Sequence, residues 1–166
     1  MSGDMFLKLE GIDGESIDDA SPSHNKEIDI IGWSFGGTNP ASFALGQGGQ
    51  QAKPTFTEFH VTKVCDKASV TLMRAMAGGQ HIASGKITCR KAIKDSDKLE
   101  FLVVELTDVQ VTNIQWSGSG SEQFVHETVS LTSAQFKASY KLQQDTGSAS
   151  GGVDLTYNLQ TQKVTG

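Results

Sequence analysis

Gly32-Trp33-Ser34-Phe35-Gly36 is a literal G-x-S-x-G. In that pattern a serine sits on an abrupt strand-to-helix turn, with backbone N–H groups aimed at an oxyanion. The chemistry needs a helix directly after the serine, and Gly37-Thr38-Asn39-Pro40 cannot start one at once. The segment reads instead as a strand end, with Ile31, Trp33 and Phe35 on one face and Ser34 on the other. A small serine esterase using Ser34 is kept as an alternative, and no catalytic residue is assigned.

The other chemistry-bearing residues are dispersed. His24, His60, His81 and His126 form no i, i+3 or i, i+4 pair, and Cys65 and Cys89 have no neighbouring ligand, so no metal site is expected. Glu15, Asp18 and Asp19 cluster in a turn-like segment and read as a solvated turn. Neither Gly46-Gln47-Gly48-Gly49 nor Gly118-Ser119-Gly120 has the surroundings of a phosphate cradle, so no cofactor is expected.

The chain has 166 residues, enough for a single domain over 1–166 with its own core. With 14 basic against 19 acidic side chains its net charge is −5, and no basic face offers itself to nucleic acid. No stretch approaches the roughly 20 apolar residues of a membrane span, and no secretory signal opens the sequence. The expectation is therefore folding in the cytoplasm, export by a route that reads no cleavable signal, and two reduced thiols.

Hydrophobic period two dominates. It is cleanest at 134–142 and 153–159, where Phe136, Tyr140, Leu142, Val153, Leu155 and Tyr157 alternate with polar residues. Further strands are expected at 4–10, 26–35, 55–64, 81–93, 99–116 and 122–131. The alternation changes phase between Ile30 and Ile31, which calls for a bulge or sharp bend. One helix is expected at 67–77, with Leu72, Met73 and Met76 as its packed face, Asp66 as N-cap and Gly78-Gly79 as stop. Many strands around one short helix predict a mainly β fold, an antiparallel barrel or sandwich.

Two stretches carry a family resemblance: Asp4-Met5-Phe6-Leu7-Lys8-Leu9-Glu10-Gly11-Ile12-Asp13-Gly14, and Glu27-Ile28-Asp29-Ile30-Ile31-Gly32-Trp33-Ser34-Phe35-Gly36 with the glycine-rich loop after it. Phe59-His60-Val61-Thr62-Lys63, Arg90-Lys91-Ala92, Leu106-Thr107-Asp108-Val109 and Tyr157-Asn158-Leu159 follow in order. Over nearly its whole length the chain resembles the haemolysin-coregulated protein (Hcp) family of type VI secretion tube proteins. The resemblance implies a homo-hexameric ring, with rings stacked into an exported tube. It also implies a spike protein, a contractile sheath and small effector proteins as partners. A phage-type tail-tube protein shares these physics and stays as a second alternative.

The longest unpatterned stretch, 36–54, is glycine-rich yet carries Phe43 and Leu45. A loop of this length usually has a function of its own, and exposed apolar side chains need a partner surface. Phe43 and Leu45 are expected to contact an adjacent ring or subunit, which is also where the resemblance implies ring stacking.

Overall fold

The computed structural model describes residues 4–20, 22–40, 53–93, 98–143 and 149–166. In chain order these form β1 (Asp4–Leu9), β2 (Ile28–Asp29), β3 (Gly32–Ser34), β4 (Gly37–Thr38), β5 (Thr55–Phe56), β6 (Phe59–Val64), α1 (Lys67–Ala77), β7 (His81–Ala92), β8 (Lys98–Ser117), β9 (His126–Gln143), β10 (Ala149–Asn158) and β11 (Lys163–Thr165). The pairings among them are antiparallel. The mainly β, single-helix expectation holds.

One nine-stranded sheet runs β11-β10-β9-β8-β7-β1-β2, with β6 paired to both β9 and β3. The bend expected at Ile30–Ile31 is where the chain changes partner. Ile30 N–H donates to Met5 O at 3.1 Å on β1, and Ile31 N–H donates to Thr62 O at 2.8 Å on β6. Ile30 is buried while Ile31 is exposed, as the phase change requires. The expected strand 26–35 is thus split into β2 and β3, and the sheet is not closed into a barrel. Conversely, the expected strands 122–131 and 134–142 merge into one, β9, which starts only at His126. Its partner β8 absorbs the irregularity through a bulge between Val111 and Asn113.

The helix begins where its cap chemistry dictates. Ala68 N–H donates to Asp66 Oδ1 at 2.9 Å, and Asp66 N–H donates to Ser69 Oγ at 3.0 Å, a reciprocal capping box. It ends at Gly78, followed by Gly79 at φ +59. Its buried stripe is Ala68, Leu72 and Ala75, with Met76 partly buried. Met73 is only half-buried, so the packed face is rotated from the expected one. Beneath the helix N-terminus lies a buried ionic knot. Lys63 Nζ donates to Glu127 Oε2 (2.9 Å), Asp66 Oδ1 (2.8 Å), Ser69 Oγ (3.1 Å) and Val64 O (2.9 Å). Trp116 Nε1 caps the other Glu127 oxygen at 3.0 Å.

The core fills the inner face of the sheet around Leu7, Ile87, Leu106, Val109, Val129 and Leu131. At one end Phe35 stacks on Phe59 with centroids 3.8 Å apart, and both meet Phe136 edge-on.

Candidate interaction surface

Ser34 occupies the end of β3, exposed and opposite His60 of β6. After it Phe35 enters the aromatic cluster, Gly36 N–H bonds Thr57 Oγ1 at 3.0 Å, and the chain proceeds directly into β4. The strand–turn–helix setting of a nucleophile elbow is absent here, and His60 Nδ1 faces Ser130 Oγ (2.9 Å). The remaining histidines each have a local partner: His24 with Glu27 at 2.8 Å, His81 with Asp108 at 2.6 Å, and His126 with Glu122 at 3.8 Å. Among the described residues no group of His, Cys, Asp and Glu is gathered to hold a metal.

Cys65 and Cys89 are free thiols. Burial pushes both upward in pKa; at Cys89 the Trp33 indole, donating to Sγ at 3.2 Å, partly opposes this. The acidic turn expected to be solvated is in part a structural clamp. Asp18 reaches Arg90, which is buried, at 2.6 Å, while Asn25 Nδ2 donates to Asp19 Oδ1 at 2.9 Å. Phe43 and Leu45 lie outside the described residues; the flanks of their loop pair as β4 and β5, with Gly37 opposite Phe56 and Thr38 opposite Thr55.

What the sequence reading missed is a surface. In the β9–β10 pairing Phe136 stands opposite Tyr157, Ala138 opposite Leu155 and Tyr140 opposite Val153, and directly opposed residues share a face. The register continues through Leu142 opposite Ser150 in one direction and Tyr157 opposite Val164 of β11 in the other. Phe136 and Tyr157 belong to the core, but along the same face Tyr140, Leu142, Val153, Leu155 and Val164 are 41–68% exposed. The charges of this ribbon, Lys137, Lys141, Asp154 and Lys163, all fall on the other face by register. A core face has therefore outrun its core and emerges as an uncharged apolar strip. Such strips mark protein contacts.

β11 deepens the impression. It covers only Thr156 to Asn158 of β10, so the outer edge of β10 before Thr156 has no strand against it among the described residues. An open edge beside an apolar face is a template for another chain.

Comparison with known proteins places this architecture. The sequence model of the family described as "Type VI secretion system effector, Hcp" matches residues 6–140. The chain is 36% identical over 161 residues to Protein hcp1 of Pseudomonas aeruginosa, covering 96% of this chain and 97% of that one. Among solved structures it is similar to a type six secretion system protein, at TM-score 0.89 and 30% identity over 99% of this chain and all of the other. It is also similar to Hcp1 from Salmonella typhimurium, at TM-score 0.78 and 31% identity with the same coverage.

Proposed function

This chain belongs to the Hcp family of type VI secretion system proteins, and we propose that its copies close into a hexameric ring through the apolar ribbon of β9, β10 and β11. Its role is structural: it is a tube subunit. The observation that carries the ring reading is the exposed, charge-free strip of Tyr140, Leu142, Val153, Leu155 and Val164, continuous with the core. Each such side chain gains about 1–2 kcal/mol on full burial. Five on one face supply a reason to associate that a monomer leaves unused. A ring needs head-to-tail contact, so the ribbon of one copy meets a different surface of the next.

Stacking of rings is the second contact, and Phe43 and Leu45 are proposed to serve it. Spike protein, sheath and effectors are its proposed partners in secretion, reached after folding in the cytoplasm. The test uses the full chain in light scattering and negative-stain micrographs. The parent is expected as six-membered rings. Val153→Asp with Leu155→Asp should give a monomer with an unchanged far-UV β spectrum. Phe43→Asp with Leu45→Asp should leave rings that no longer stack or are no longer exported. Rings that survive the ribbon substitutions would remove the ribbon from the interface, and a monomeric parent would remove the ring reading itself.

A further inference from the structure

Residues 13–20 and 22–27 run across the outer face of β1 and β7, opposite the core. The crossing is tied to itself by Gly14 N–H to Lys26 O (2.7 Å), Ser16 N–H to Glu27 O (3.0 Å), Lys26 N–H to Ser16 O (2.8 Å) and His24 N–H to Asp18 O (3.1 Å). Position 14 must be glycine, because a Cβ there would run into the Glu27 carbonyl. Under this strap Phe6, Thr88 and Arg90 are 3%, 0% and 1% exposed, although the sheet's alternation turns them away from the core. Among the described residues the strap contacts two of them directly, through His24 on the Phe6 ring and Asp18 and the Pro22 carbonyl on Arg90.

What fastens the strap is charge. His24 is 1% exposed, stacked on the Phe6 ring with centroids 4.2 Å apart and planes 5° apart. Its Nδ1 shares a hydrogen bond with Glu27 Oε2 on the strap at 2.8 Å, whereas its Nε2 lies 3.1 Å from Glu100 Oε1 on β8 as a charge contact without hydrogen-bond alignment. Arg90 of β7 sits 4.9 Å from the centre of the same Phe6 ring, and its Nη2 binds Asp18 Oδ2 (2.6 Å) and Asp4 Oδ2 (3.1 Å). Lys98 of β8 completes the set, 2.8 Å from Asp4 and 3.8 Å from Asp18. Asp29 of β2, opposite Phe6 in register and with its carboxyl pKa pushed up by burial, and Asp19 of the strap line the same recess. With them, these are the charged groups among the described residues that face the strap's anchor from β1, β2, β7, β8 and the strap itself.

We propose that this strap is a proton-operated latch, closed only while His24 carries a proton on each ring nitrogen and Glu27 and Glu100 are ionised. A neutral imidazole has one N–H, so one nitrogen would present a lone pair to a carboxylate at a buried ring. Protonated carboxylates fail in the opposite sense, leaving the buried imidazolium without counter-ions. Both failures act on the strap alone, since the core lies on the other face of the sheet. Opening would uncover Phe6 and Arg90 without unfolding the sheet and its core.

The test is amide hydrogen exchange of the full protein from about pH 4 to about pH 9, corrected for the intrinsic exchange rate at each pH. Protection of the Gly14, Ser16, His24 and Lys26 amides should peak at intermediate pH. It should fall on either side by up to about tenfold per pH unit for each proton exchanged, while Val61 and Leu131 stay protected. Glu100→Gln should abolish the alkaline fall, because an amide N–H can donate to the bare nitrogen of a neutral His24. Flat protection of the four amides, or an alkaline fall that persists in Glu100→Gln, overturns the latch. Independently of any variant, nitrogen chemical shifts of His24 in the closed parent should show both ring nitrogens protonated; a single N–H there also overturns it.

Discussion

Breaking the ionic knot under α1 should cost more from the lysine side than from the glutamate side. Lys63 and Glu127 are both fully buried, while Asp66 keeps a little solvent contact. Replacing Lys63 with Met strands two carboxylates in or near the interior. Glu127 would then retain only the hydroxyl of Ser69 and the Trp116 indole as donors. Uncompensated buried charge of this kind costs about 3–5 kcal/mol. Glu127→Gln, by contrast, keeps the shape and leaves Lys63 paired with Asp66 at 2.8 Å, so the loss reduces to a charged hydrogen bond, about 1.5–3 kcal/mol. Urea titration followed by far-UV circular dichroism measures both. Lys63→Met with Glu127→Leu should recover much of the loss, because an apolar pair of similar volume pays no desolvation. If Lys63→Met costs less than about 1 kcal/mol, or if the double variant is worse than the single one, the knot is not a buried charge pair in the sense argued.

Three further outcomes follow from the site geometry. Ser34→Ala should change stability by less than about 0.5 kcal/mol in urea titration, since Ser34 is an exposed strand-end residue with no assigned reaction. In unfolded, unreduced protein a thiol titration should count two thiols, and in native protein Cys65 should react ahead of the buried Cys89, whose thiol is also held back by burial. Asp4 is held below the usual carboxylate range, first by the hydrogen bond from Lys98 and then by Arg90, against an opposing desolvation. A carboxylate with a depressed folded pKa contributes stability that is present above its unfolded value and lost as pH falls through the folded one. Asp4→Asn should therefore flatten the acid limb of stability below about pH 4. Because the side chain is 39% exposed, the effect is screened to about 1 kcal/mol or less.

The helix was legible to the residue because its signals are local: an aspartate cap, a glycine stop and a short apolar spacing all sit within 66–79. Strand existence was legible for the same reason, through alternation. Strand ends were not. Between Ile30 and Ile31 nothing in the residues themselves says that the chain leaves β1 for β6, since that exchange is decided by Met5 and Thr62, far away in sequence. The strap escaped for a related reason. His24, Arg90 and Glu100 are ordinary residues one by one, and the β1–β7–β8 pairing is what gathers them around Phe6.

The apolar ribbon is a different case, because its signal was present and was read only as strand alternation. At about 3.4 Å per residue, the 20 residues of β8 and 18 of β9 span about 60–70 Å when extended. A 166-residue globule has a radius of gyration of about 15 Å, hence a diameter of about 40 Å. Two strands of that length cannot stay inside such a body even after twisting and curling. The alternation of Phe136, Ala138, Tyr140 and Leu142 therefore has to run from buried to exposed along one face, as it does. A sequence that keeps strict alternation beyond the reach of its own core leaves apolar surface in water that the lone chain does not bury. Within a lone chain that pattern is a liability. Between copies it is a contact surface, and the same period-two rule that builds the core also builds the proposed ring.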